Sequence, residues 1–361
     1  MVCACSAPVP HAVSSATVAT PVAVASAAAP APSPPAPTPE QPPAPAPTGI
    51  ARGTGTPADL ALAEGDAAFD RDDLPAAKAA YERARQLDPR DSLPVAGIAR
   101  VALADPSVVL ALGSAPDDPR MLALLTRLQH SYGSPENGPL HREVGKTLLV
   151  LGRGMDAVGH FERALKFEPN DLEAVTLAGI TWTSLGQSRL ALPYLRHAVA
   201  LAPNEPGALT NLGTALLLTG DVGGAADTFE KVVVLAPNDA RAHSDLGTAC
   251  LTQGRFERAV AELTRATELE PKRATYRSNL AHALELAGNV DQARASAELA
   301  VKLDPKLGSA WINLGTASAK KGDTTAARRA FEKAAALDPS DPRPKSNLEE
   351  LEELEKAKRP R

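Results

Sequence analysis

The sequence predicts an all-α solenoid, a row of antiparallel helix pairs stacked one on the next, preceded by a segment without regular structure. Three observations predict it. Pro169, Pro203, Pro237, Pro271, Pro305 and Pro339 lie 34 residues apart without a slip. Small residues recur in step with them at three further columns. The composition changes at Ala58, from Pro/Ala-rich sequence to patterned Leu, Ala and charge. A fixed period in this range marks an array in which each unit buries its apolar face against the next.

The first element, residues 1–57, holds 14 of the 33 prolines. Proline lacks the amide hydrogen that helices and sheets need, so this stretch reads as a disordered, polyproline-like tether. Residues 58–91 form one helix pair, with Gly65, Ala77, Tyr81, Ala84 and Pro89 in register. Residues 92–137 break the period and are cut by Pro94, Pro106, Pro116, Pro119 and Pro135. They read as a degenerate pair near 92–113 plus an extra helix near 118–132, and both a worn repeat and a specialised insertion fit. Six regular units follow, at 138–171, 172–205, 206–239, 240–273, 274–307 and 308–341. Residues 342–361 read as a closing helix, with Leu348, Leu351 and Leu354 among glutamates and Lys356, Lys358, Arg359 and Arg361 at the favourable carboxyl end.

Within a unit, Gly145, Gly179, Gly213, Gly247 and Gly315 mark a small position in the first helix, with Ala281 as the exception. Seven residues on, Gly152, Gly186, Gly220, Gly254, Gly288 and Gly322 mark the turn. Ala157, Ala191, Ala225, Ala259, Ala293 and Ala327 mark the second helix. Glycine permits the backbone conformation that ends a helix, and proline cannot continue one. Leu212, Leu246 and Leu314 are placed to fill the space between pairs.

The pattern Trp311, Leu314, Gly315, Ala327, Phe331, Ala334, Pro339 resembles the tetratricopeptide repeat. Phe161 and Phe229 fill the aromatic column elsewhere, while Leu195, Leu263 and Ala297 depart from it. The resemblance implies a right-handed superhelix whose first helices line a concave groove, and a non-catalytic scaffold that holds a protein or peptide partner there. On that face Asn211, Asp245, Asn279, Asn313 and Asn347 recur 34 residues apart, with Thr214, Thr248, His282 and Thr316 one turn on. Thr210, Ser244, Ser278, Ile312 and Ser346 precede them. Asparagine donates and accepts, so such a column can pair with a peptide backbone without reading its side chains. Packed helices stand roughly 8–10 Å apart and an extended peptide advances about 3.3 Å per residue, so a rung would meet every third residue. The plainer reading is that a polar, helix-tolerant residue simply faces water there. Glu143 and Leu177 replace asparagine in the earlier units, which confines any ladder to the carboxyl-terminal half. The paired Lys and Arg of a carboxylate clamp are not visible, since Gly207, Arg241, Thr275 and Ser309 occupy the position.

Other chemistry is weakly represented. A net charge of −5, with both signs spread along the array, gives no basic surface for nucleic acid. No apolar run is long enough to span a bilayer. None of the seven histidines has a partner at ligand spacing, no metal or cofactor site is implied, and no nucleophile–base set supports an enzyme. Cys250 falls in the column of Trp182, Leu216 and Leu284 and reads as a buried apolar thiol. Gly53-Thr54-Gly55 lacks the strand and helix of a phosphate loop.

Val2-Cys3-Ala4-Cys5-Ser6 resembles the end of a bacterial lipoprotein signal, with Cys5 as the residue that would carry the lipid. No basic start or apolar segment precedes it, as would follow if the true start lay upstream. On that alternative the chain is an envelope lipoprotein that helps assemble a membrane complex. Otherwise the cysteines are incidental and the cytoplasm is the expected compartment.

Overall fold

The computed structural model describes residues 49–105, 108, 116–131 and 137–358. The tether expected at 1–48 and the lipidation expected at Cys5 lie outside these residues. Among the described residues there are seventeen helices and no strand. They are α1 (Pro57–Asp70), α2 (Leu74–Leu87), α3 (Leu93–Leu103), α4 (Pro119–His130), α5 (Gly138–Val150) and α6 (Gly154–Phe167). Next come α7 (Leu172–Ser184), α8 (Ser188–Leu201), α9 (Pro206–Thr219), α10 (Val222–Leu235), α11 (Ala240–Thr252) and α12 (Phe256–Leu269). The last are α13 (Ala274–Leu286), α14 (Val290–Leu303), α15 (Gly308–Lys320), α16 (Thr324–Leu337) and α17 (Arg343–Lys358).

The pairs α1/α2 and α5/α6 through α15/α16 are each tightly packed, and each second helix also packs on the first helix of the next pair. The turn inside each regular pair is made by one glycine with φ between +71° and +88°, from Gly152 to Gly322. Asp72 fills the same column between α1 and α2 at φ 60°, the one non-glycine residue with positive φ among the described residues. That region is strained for residues with a side chain, and Asp is among those that tolerate it.

Pairing within a unit rests on a close fit. A Cβ added to Gly145 would lie 2.5 Å from the Phe161 ring, at Gly213 2.6 Å from Phe229, and at Gly315 2.4 Å from Phe331. The glycine therefore seats the large residue sixteen positions later. Where the glycine is replaced, at Ala281, the large residue is replaced too, at Ala297, and both are buried. Leu212 and Leu246 are buried between pairs, whereas Leu314 is only half-buried. The resulting core is a continuous strip, from Ala191 on α8 to Ala317 on α15.

Two features depart from the regular plan. Helices α3 and α4 meet weakly, and each packs on α5. Residues 49–56, which sequence reading placed in the tether, fold back over α1. Gly53 and Gly55 make the positive-φ turns that return the chain to Thr56, which caps α1 by accepting the Asp59 N–H at 3.2 Å.

Candidate functional site

Helices α9, α11, α13, α15 and α17 carry Asn211, Asp245, Asn279, Asn313 and Asn347 at one register position, and all five are half-buried. Thr214, Thr248 and Thr316, also half-buried, donate their hydroxyl protons to their own helices, at Thr210 O (2.9 Å), Ser244 O (2.9 Å) and Ile312 O (3.1 Å). Such back-bonding leaves each threonine offering a methyl group and a lone pair, so the donors on this face are the amides.

The amides are not equivalent. Asn313 donates to Ser278 O at 2.8 Å and Ser278 Oγ at 3.1 Å, clipping α15 to α13. Asn211 and Asn279 meet no hydrogen-bond partner among the described residues. Asp245 has a buried Oδ2 whose nearest ion-pair partner is Arg241 Nε at 3.6 Å. Burial pushes its carboxyl up to about 6, against the pull of Arg241. Beyond it, Glu285 is buried between Lys320 and His282 (3.7 Å), and burial holds the His282 imidazole below its usual range.

The same face is closed on α5 and α7. Glu143, in the asparagine column, is fully buried, as is Arg142 beside it. Arg142 donates to Asp171 at 2.7 Å, Glu143 at 3.2 Å and Glu173 at 3.1 Å, and Lys146 binds Glu143 at 3.0 Å and Glu173 at 2.8 Å. Two cations are thus enclosed by three carboxylates. Burial works against the Lys146 ammonium, but Glu143 and Glu173 outweigh it and raise its pKa. Leu177 packs into the core on α7. The substitutions at 143 and 177 follow from the repeat columns; the five-membered network was not visible, because Asp171 and Glu173 lie at the start of the next first helix, far from Arg142 in sequence and outside the repeat columns.

Sequence spacing also separated histidines that the fold brings together. His141 and His160 meet Nδ1 to Nδ1 at 3.1 Å, and Phe167 stacks on His141 at 6.0 Å between centroids. Burial, and then His141, lower the pKa of His160 to about 4. The two positions are 19 residues apart, the distance across one helix pair; His243 meets Glu262 at the same separation, at 2.7 Å. Cys250 is fully buried, and burial raises its thiol pKa. Among the described residues no three His, Cys, Asp or Glu side chains converge on a metal site, and no helix is long and apolar enough to cross a membrane.

Stacked helix pairs of constant length with a repeated polar register position define a helical-repeat protein. A family model for the tetratricopeptide repeat matches residues 62–119, 183–240 and 244–308, and a second matches 308–341. The chain belongs to the tetratricopeptide repeat family. Among solved structures it is similar to the APC/C hetero-tetramer Cut9–Hcn1, at 16% identity and TM-score 0.55, over 83% of this chain and 57% of that one. The chain therefore spans little more than half the length of that relative, and the likeness concerns the fold alone. YrrB, a TPR protein with an unusual peptide-binding site, matches at 21% identity over 52% of this chain and 97% of its own, with TM-score 0.42. MamA from Desulfovibrio magneticus RS-1 matches at 25% identity over 47% and 96%, with TM-score 0.43. No curated protein matches the chain.

Proposed function

We infer that the chain is a non-catalytic scaffold that holds an extended segment of a partner protein along the face formed by α9, α11, α13, α15 and α17. The family, whose members bind protein or peptide partners, supports the broad role. The observation that carries the finer reading is the half-buried amide column, in which Asn211 and Asn279 have donors and acceptors unspent within the described chain. A partly desolvated amide gains most from a ligand that completes its hydrogen bonds, and a peptide backbone offers both kinds. Asn313 is bound to Ser278 and serves spacing between helices. Asp245 accepts backbone N–H groups or a cation, which biases the site against acidic segments.

The test is crosslinking of a partner to the wild-type chain and to Asn211→Ala/Asn279→Ala. The double variant is expected to lose about tenfold or more in partner capture with unchanged helicity, two lost hydrogen bonds at about 1 kcal/mol each. Equal capture by both chains refutes this assignment. The sequence around Cys5 motivates a second reading, a lipid-anchored scaffold at a bacterial envelope. Metabolic labelling of the natural gene product with a radioactive fatty acid tests it, with loss of label in Cys5→Ser as the expected result.

A further inference from the structure

At the amino-terminal end of the array an extended segment already lies on a first helix. Ile50 and Ala51 donate their backbone N–H groups to Asp66 Oδ2 at 2.6 and 2.9 Å, and Arg52 donates its backbone N–H to Asp59 Oδ1 at 2.6 Å. Asp59 and Asp66 are buried and stand seven residues apart on one face of α1. In the repeat register Asp66 follows Gly65 as Thr214 follows Gly213, so the strap runs over the register position occupied by the threonines of the later units. The Ile50 side chain is buried in one cluster with Leu62, Leu93 and Ile98. The Arg52 guanidinium forms a fork with both Asp91 oxygens, at 2.9 and 3.1 Å.

We propose that this cleft between α1 and α3 is a peptide-binding site for segments of the form branched aliphatic–small–arginine, filled in cis by Ile50-Ala51-Arg52. Three features make it a site and not only a helix cap. The carboxylates read backbone N–H groups, which any peptide supplies. The two side-chain requirements are separate: an apolar pocket for the aliphatic residue and a bidentate carboxylate for arginine. The strap is joined to α1 through Gly53 and Gly55, where a Cβ would touch nothing within 4 Å, so side-chain packing does not hold this linker and its tie to α1 is the Gly55 N–H bond to Asp59 Oδ2 at 3.3 Å. Asp59 illustrates the dependence on an occupant. Burial opposes its charge, but the N–H bonds from Arg52 and Gly55 outweigh that and hold its carboxyl below the usual range. An empty cleft leaves buried carboxylate oxygens unsatisfied, so a partner strand is expected to exchange for the strap and not to leave a vacancy. This proposal concerns α1 and α3 and stands apart from the face of α9–α17.

A tethered strap has an effective concentration on the order of millimolar, so a free peptide competes only weakly with it. The test uses the full chain and a fluorescent peptide with the sequence of residues 49–56. Ile50→Asp/Arg52→Glu, which ejects the strap, is expected to bind the peptide at least tenfold tighter than wild type. A peptide with glycine at the positions of Ile50 and Arg52 is expected not to bind. Equal affinity of the two chains overturns the proposal. As a check free of folding effects, hydrogen exchange is followed on the wild-type chain. Excess peptide is expected to speed exchange at the chain's own Ile50 and Ala51 amides, and unchanged exchange at saturating peptide also overturns it.

Discussion

Gly315 shows how much one hydrogen atom decides in this array. Its missing Cβ is the space occupied by the edge of Phe331, 2.4 Å away from where that carbon would sit. Gly315→Ala is expected to cost about 1–3 kcal/mol, as overpacking of a close contact does. Adding Phe331→Ala recreates the Ala281 and Ala297 combination found one unit earlier. The double variant is expected to be less destabilised than the sum of the singles, and a denaturant double-mutant cycle measures the coupling. Asp245 supplies a pH-dependent case. Its pKa in the fold is raised to about 6, above the ordinary value of 3.8, so the native chain holds the proton more tightly than the unfolded one. Its contribution to stability is thus full below about pH 4 and is lost as the pH rises through 6. Asp245→Asn, which restores the amide of the neighbouring units, is expected to gain roughly 1–2 kcal/mol at pH 7 and almost nothing at pH 4. Thermal melts of both chains at the two pH values read this out.

At the scale of single helices, α17 covers the last exposed flank. Leu351 is buried against Ala327 and Phe331, while Arg328 binds Glu355 at 2.9 Å and Glu352 at 3.4 Å along the edge. Leu351→Ala is expected to cost about 2–4 kcal/mol. Because units contact only their neighbours, hydrogen exchange should show the loss in α15–α17 before it reaches α9. The helices themselves were legible in the sequence wherever a glycine turn and a proline stop bracketed a fixed length, since both act through local backbone geometry. Residues 49–56 were not, because proline and glycine content suggested a tether and only the long-range bonds to Asp59 and Asp66 fix them. The spacing of those two aspartates on one face of α1 was the available signal. The asparagine column was legible from spacing alone. The different duties of its members were not, because the Asn313 bond to Ser278 depends on how adjacent helices are set side by side.

Across the whole molecule, the two halves of the first-helix face differ in kind. Helices α9–α17 leave amides and a raised-pKa carboxylate available, whereas α5 and α7 are joined by buried ion pairs from Arg142 and Lys146 to Glu143, Asp171 and Glu173. Removing one member of such a network strands charges away from water. Arg142→Ala is therefore expected to destabilise the chain by about 3–5 kcal/mol, measured by chemical denaturation, with hydrogen exchange locating the first opening at α5–α7. The network has a mechanical corollary. A coil of stacked pairs stretches by small slips between neighbours, and a joint held by five largely buried, mutually paired charges resists slipping more than one held by part-exposed ion pairs such as Lys320–Glu285 and by the Asn313 clip. Pulled or twisted by a guest, this molecule should behave as a spring stiffened at the α5–α7 joint, giving first where α3 and α4 meet weakly and between the pairs from α9 onward.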